Sequence, residues 1–279
     1  MAVGHVTLDE TETGTRPGGA ALYAALTALR LGCSVGLLTS FGPDFPSEVL
    51  PPEIQMVRVP ARLTTTFHHE TDPDGRRLAL LNRAADLDVD DLPEAWNEAS
   101  LALLCPVANE VDPSLAATFT GGAVGVAVQG WLRKRGAGGA ITPARWEDAS
   151  LVLPHVQAIF LSWEDMGKFG NEVLYWFQQV PLGIVTLGAS GALLFVNGER
   201  YVIPADVAEE RDTTGAGDVY AAAFLLHYQR EGDPWEAAAY AACAAACAVE
   251  AEGIEGIPDA RAIEARLARY RLRVAGEIP

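Results

Sequence analysis

Four short apolar runs, at 101–105, 123–128, 157–161 and 183–187, recur with enough chain between them for crossover segments. Such runs are too short for buried helices and lack the polar alternation of half-exposed strands. They read as strands covered on both faces, and parallel strands of that kind need crossovers that pack on the sheet. The sequence therefore predicts an α/β fold with a mainly parallel central sheet and helices on both faces. With 49% hydrophobic residues among 279, a core of that size can be filled.

Upstream of residue 83 the rhythm is different. From 54 to 81 the chain alternates like exposed β structure, with Thr64-Thr65-Thr66-Phe67-His68-His69-Glu70 and Arg77-Leu78-Ala79-Leu80-Leu81 flanking Asp72-Pro73-Asp74-Gly75. That tetrapeptide lacks the remaining ligands of a calcium loop and reads as a hairpin turn. A β-hairpin lid over about 62–82, inserted within one domain spanning 1–279, is the expected organisation, since no stretch has the length of an interdomain linker. Adjacent histidines on a strand face opposite ways, so His68 and His69 make a poor metal pair. The face carrying Thr65, Phe67 and His69 is the one that can cover a substrate.

Local signals place the other elements. A first strand is expected over 2–8, a polar turn over 11–17, a helix over 19–31 ending at Gly32, and a strand over 34–39. Asn197-Gly198 marks a hairpin between 191–196 and 200–203. Asp233-Pro234-Trp235-Glu236 opens a helix that Gly253 is expected to end, and Asp259 caps a last helix.

The chemistry concentrates in Asp212-Thr213-Thr214-Gly215-Ala216-Gly217-Asp218, which runs into a helix expected over 219–230. Two glycines around one alanine let backbone amides approach a ligand, and the helix turns its positive end toward the same loop. Gly215, Ala216 and Gly217 thus form a candidate anion hole. Asp218, a carboxylate beside it, suits phosphoryl transfer to a hydroxyl, where it would accept the proton. The bland alternative is a Gly-rich helix entry with an acidic first turn. Asp9 and the pair Gly18-Gly19 form a second constellation, because a carboxylate flanked by accessible backbone reads a polyol well.

The net charge of −17 argues against a nucleic-acid backbone or an anionic membrane as partner. The cysteines at 33, 105, 243 and 247 have no C-x-x-C spacing and read as reduced core residues of an intracellular, cytoplasmic protein without a signal peptide. Neither G-x-G-x-x-G nor G-x-x-x-x-G-K-[ST] is present, so any phosphate device is of another kind.

The run 212–218 resembles the C-terminal signature of the ribokinase-like, or PfkB-type, carbohydrate kinases. The resemblance extends to Gly4, Asp9, Pro17-Gly18-Gly19, Leu31-Gly32, Val185-Thr186-Leu187-Gly188 and Gly191. It implies an ATP-dependent kinase with Mg2+, with Asp218 as base and with Asp9, Gly18 and Gly19 on the acceptor. It also implies that Thr186, Gly188, Ser190, Gly191 and Thr214 serve the nucleotide, Thr186 to Gly191 being similar to the family's T-x-G-x-x-G. In relatives the lid can be a dimer surface, so a homodimer is a further expectation.

Three positions depart from the pattern. The family's Asn-x-x-Glu, linked to the magnesium–phosphate shell, reads Ser162 and Asp165 here, which leaves Asp165 as the metal candidate with Glu164 or a bridging water as substitutes. Tyr23 stands where many sugar kinases carry Asn. Ala127 stands where relatives often have Asp, while Gln129 and Arg133 resemble the branch that includes myo-inositol kinases and make Gln129 an acceptor candidate. Two other readings remain open. One is a nucleoside kinase of the same fold, with Tyr23 and Phe67 stacking a base; the other is a catalytically silent sugar- or nucleotide-binding protein.

Overall fold

A computed structural model describes residues 1–11, 14–72 and 75–276, the side chains of 70–77 and 168 excepted. The central sheet has nine strands in the order Glu199–Ile203, Ala192–Val196, Leu182–Thr186, Ala158–Ser162, Ala123–Ala127, Leu101–Leu104, Ala2–Val3, Gly36–Phe41 and Gln55–Pro60. All neighbours from Leu182–Thr186 onward pair parallel. The first two strands form the antiparallel hairpin expected around Asn197-Gly198, both at positive φ as a tight two-residue turn requires. The four apolar runs are four of these strands.

Each face of the sheet carries its own core. On one face lie the helices Ala20–Arg30, Ala216–Glu231, Pro234–Ala248 and Ala260–Val274, with Leu22, Phe160, Phe224, Ala241 and Ile263 buried between them and the strands. The alanines of Pro234–Ala248 let it pack closely against Ala216–Glu231. On the other face the crossovers are shorter than a helix-per-strand rhythm suggests. Between Leu101–Leu104 and Ala123–Ala127 there is only a 3-10 turn, Pro113–Ala117, capped by Asp112 and followed by Gly121-Gly122. Glycine there interrupts any longer helical pattern. Trp131, Trp146 and Trp176 fill this face, the first two stacked with centroids 5.2 Å apart and the third edge-on to Trp146 at 5.2 Å. Helix starts follow the caps read from sequence: Asp233 accepts from the amides of Trp235 and Glu236, and Asp259 from that of Ala262. Gly253 does not end the helix it follows. That helix stops at Ala248, and Gly253 opens a 3-10 turn, Gly253–Gly256.

The lid is a separate sheet, as expected, but it has four strands rather than two. Their order is Gly14–Gly18, Thr7–Thr11, Thr65–Asp72 and Gly75–Asn82. The expected first strand therefore breaks in two: Ala2–Val3 stays in the central sheet and Thr7–Thr11 leaves it. The expected turn over 11–17 is largely the strand Gly14–Gly18. Polar residues at 11–17 suggested a turn, because the pattern lacks an apolar face, but Gly14–Gly18 pairs with the strand Thr7–Thr11. That strand is held in turn by pairing to Thr65–Asp72, a long-range contact that local pattern does not carry. Pro73 and Asp74, at the tip of the expected turn, lie outside the described residues.

Buried polar side chains stitch the lid's base to the central sheet. The Ala84 amide donates to Thr65 Oγ1 (2.9 Å), the Thr65 hydroxyl faces His5 Nδ1 (2.6 Å), and His5 Nε2 faces the Ala85 carbonyl (2.7 Å). Both ring nitrogens of His5 are thus engaged, one by Thr65 and the other by the Ala85 carbonyl. Among the described residues no helix is long and apolar enough to cross a membrane.

Candidate active site

The helix Ala216–Glu231 begins at Gly215, which sits in the left-handed region at φ 76°. A β-carbon there would overlap the ring of Tyr23, on the helix Ala20–Arg30. Glycine is thus required twice, by the backbone angle and by the ring. The loop before it is fixed by Asp212. Its Oδ1 accepts from the Thr214 amide (2.9 Å) and its Oδ2 from the Gly253 amide (3.0 Å). These bonds hold its carboxyl below the usual range although burial opposes them. The amides of Gly217 and Asp218 fall in the first helical turn, where no intrahelical carbonyl can reach them. The Ala216 amide is turned toward the Thr213 carbonyl at 3.3 Å, so the expected anion hole is carried chiefly by its neighbours.

Asp218 stands in that first turn, half-buried. Burial pushes its carboxyl up to about 7; the Arg133 guanidinium opposes the rise, while Asp165 and Asp9 add to it. The fold thus brings together in one electrostatic neighbourhood residues that are far apart in the chain. Asp9 comes from the lid, Arg133 follows the turn Val128–Leu132, and Asp165 lies at the carboxyl end of Ala158–Ser162. That end of a parallel sheet is where ligands collect.

Asp9 does not end a strand of the central sheet. It lies inside the lid strand Thr7–Thr11, opposite Arg16 on one neighbour and Phe67 on the other. Directly opposed residues share a face, so Asp9, Arg16 and Phe67 point the same way. Asp9 Oδ1 accepts from Thr7 Oγ1 at 3.2 Å and stands 3.6 Å from His69 Nε2, with the two side chains only 14% and 17% exposed. Gly18 closes this corner, since a β-carbon on it would overlap Asp9 Oδ2. Gly19 is the N-cap of Ala20–Arg30 at φ 98°. His68 points the other way, toward Glu10 at 3.6 Å, as alternation requires. His69 and Arg16 were not among the site candidates, and the alternation that set His69 beside Phe67 was the available signal.

Thr186 ends its strand directly beside Ser162 of the neighbouring strand. The segment Gly188–Ser190 then makes a 3-10 turn closed by the Leu187 amide on the Gly191 carbonyl (2.7 Å). Gln129 is half-buried in Val128–Leu132, one turn ahead of Arg133. Asp165 is committed to a capping box: its Oδ2 accepts from the Ser162 amide (3.2 Å) and hydroxyl (2.6 Å), and Oδ1 lies 3.9 Å from Arg133. Among the described residues no three His, Cys, Asp or Glu side chains form a metal-holding group. Tyr23 and Phe67 are 2% and 4% exposed, so neither ring offers a face for a base to stack on.

The chain has relatives among known proteins. The chain is 25% identical over 259 residues to a cytidine kinase of Thermococcus kodakarensis, covering 85% of this chain and 90% of that protein. A fructokinase of Vibrio alginolyticus is 24% identical over 253 residues, with 78% of each chain covered. Among solved structures, a variant of a pyrophosphate-dependent myo-inositol-1 kinase superposes with a TM-score of 0.79 at 18% identity, covering 96% of this chain and 99% of that one. A ribokinase of Thermotoga maritima gives 0.73 at 23% identity, covering 96% and 98%. The model of the pfkB family of carbohydrate kinases matches residues 4–260, and the chain belongs to that family.

Proposed function

We propose that the protein transfers the γ-phosphoryl group of ATP to a hydroxyl of a small sugar or cyclitol. The observation that carries this reading is the position of Asp218, in the first turn of Ala216–Glu231 and in the field of both Arg133 and Asp9. In this reading Asp9, Gly18, Gly19 and His69 hold the acceptor on the lid side, with Gln129 contributing from the body. Asp218 takes the proton of the hydroxyl as it attacks. The amides of Gly217 and Asp218, with Ala216 after a small turn, hold charge on the transferring group. Thr186, Gly188, Ser190, Gly191 and Thr214 hold the nucleotide. Mg2+ would arrive with the nucleotide, taking its ligands mostly from phosphate oxygens and water and neutralising their charge. The lid excludes water and so suppresses hydrolysis of ATP. Its outer face, with Leu81 exposed at the edge strand, suits a homodimer contact.

A nucleoside acceptor is the second reading, and the long match to a cytidine kinase favours it. The burial of Tyr23 and Phe67 weighs against base stacking there. The deciding experiment is a panel of sugars, cyclitols and nucleosides, each with ATP and with pyrophosphate as donor, read by transfer of phosphate to the acceptor. Turnover of a cyclitol or sugar with ATP supports the first reading, and turnover of nucleosides alone replaces it with the second. Turnover with pyrophosphate alone would change the donor. No transfer to any acceptor, in a protein that still binds one, would support a silent binding protein.

A further inference from the structure

Arg16 lies on the lid strand Gly14–Gly18, on the face that carries Asp9. Its guanidinium leaves the lid and reaches two carboxylates of the body. Nη1 is 3.7 Å from Asp212 Oδ2, and Nη2 is 3.1 Å from Glu252 Oε2. Glu252 immediately precedes the turn Gly253–Gly256, against which this lid strand packs. Asp212 is the more telling partner, because it is the residue that sets the loop into the anion site. Its two oxygens hold the amides of Thr214 and Gly253, and Thr214 is the residue before Gly215. One carboxylate is therefore shared between the loop that receives the phosphoryl group and the lid that covers the acceptor.

We propose that Arg16 is a positioning residue that couples lid closure to the geometry of the anion-hole loop through Asp212. The inference rests on the phosphoryl-transfer reading for its catalytic consequence, though not for the contact itself. Its logic is one of weak, reversible charge pairing. Arg16 and Glu252 are both solvent-exposed, so their pair can open without a large penalty. Asp212 is less exposed, at 19%, and a cation beside it is screened less. When the lid is closed, the guanidinium stands beside the oxygen that accepts from Gly253. When the lid lifts on its Thr65–His5 base, that charge withdraws and the carboxylate is left to its two amides alone. The loop is then free to loosen, and the anion site is fully set only when the acceptor side is shut.

Hydrogen exchange on the full chain without ligand tests this, comparing wild type with Arg16→Met, Arg16→Lys and Glu252→Gln. In Arg16→Met, exchange should quicken about three- to tenfold at 7–11 and 14–18, and also at Thr214 and Ala216. Arg16→Lys, which keeps the charge but loses the two-pronged reach to Asp212 and Glu252, should fall between wild type and Arg16→Met at both segments. Glu252→Gln, the variant that leaves Arg16 in place, should give a smaller rise confined to 14–18. Faster exchange in the lid with Thr214 and Ala216 unchanged would overturn the coupling. No change in either segment would overturn the contact. In the kinetic arm, Arg16→Met should lower kcat about tenfold at saturating acceptor with the ATP dissociation constant within about twofold, because loop geometry matters more to the transition state than to ground-state binding. Acceptor-independent hydrolysis of ATP should rise relative to transfer. A change confined to acceptor KM would make Arg16 a substrate contact and overturn the proposal. A wild type that phosphorylates nothing while the exchange pattern holds would sink the kinase reading and leave the coupling standing.

Discussion

The ring of Tyr23 lies so close to the α-carbon of Gly215 that no β-carbon fits between them. The helix Ala20–Arg30, through this ring, meets the N-cap of Ala216–Glu231 where that residue lacks a side chain. Tyr23 therefore packs directly against the loop at Gly215. Burial, then the nearby carboxylates of Asp218, Asp9 and Asp212, push its hydroxyl well above the usual range, so it stays neutral.

Gly215→Ala should be strongly disruptive. The left-handed angle costs about 1–2 kcal/mol for an alanine, and the overlap with Tyr23 adds roughly 1–3 kcal/mol of overpacking. The melting temperature should fall by several degrees and turnover should be lost. Tyr23→Phe keeps the ring and should melt close to the wild type. A Gly215→Ala protein with wild-type stability and turnover would contradict this account of the loop.

Asp218→Asn keeps the shape of the side chain and removes the proton acceptor. Turnover should fall about 10²–10⁴-fold, the usual worth of a general base. ATP affinity should hold or rise slightly, since the anion-binding groups are backbone amides and one negative charge is gone. If Asp218 were only a favourable first-turn acid, stability would drop by roughly 0.3–1 kcal/mol with turnover nearly normal. Measuring kcat and the ATP dissociation constant of the folded variant separates the two.

Proton linkage gives a prediction of its own. Because burial lifts the Asp218 carboxyl to about 7, kcat/KM should climb with pH to about 7 and level off above it. Stability should run the other way. The folded protein keeps this proton up to about pH 7, whereas the unfolded chain releases it near about 3.9. The contribution is full below about pH 4 and is lost as pH rises to about 7. Asp218→Asn escapes this loss and should gain in melting temperature over the wild type at pH 8 relative to pH 4. A flat kcat/KM across about pH 5.5–8.5 would remove Asp218 as the titrating base.

The lid should respond to ligand as one four-stranded unit. Adding acceptor and a non-hydrolysable ATP analogue should slow hydrogen exchange at 65–72 and 75–82 and, in step, at 7–11 and 14–18. The two hairpins are paired through Thr7–Thr11 and Thr65–Asp72, so they cannot move separately without breaking that ladder. Protection of 65–82 alone would show that they do.

Particular residues show how far the sequence could be read. Asp212 to Asp218 announced a helix entry by local chemistry alone, and the helix starts there. Asp9 was legible as a residue type, yet its place was not, because the strand carrying it is defined by a partner far along the chain. Asp165 was a metal candidate through its resemblance to the family's Asn-x-x-Glu. The Ser162-x-x-Asp165 spacing is also that of a capping box, in which Oδ2 accepts from Ser162 while Oδ1 lies 3.9 Å from Arg133. Tyr23 was read as a pocket wall and is a buried support, a distinction that depends on what packs against the other face of its helix.

By itself, then, the sequence determined the parallel α/β framework, the separate lid and the helix entry at 212–218. These depend on short-range periodicity, capping and backbone freedom, which act within a few residues. Only the tertiary structure decided that 7–11 and 14–18 belong to the lid, that Arg16 and His69 stand beside Asp9, and that Arg133 and Asp165 share the field around Asp218. Such relationships arise from strand pairing, burial and charge between residues distant in the chain. Their energies exist only once the fold has brought those residues together.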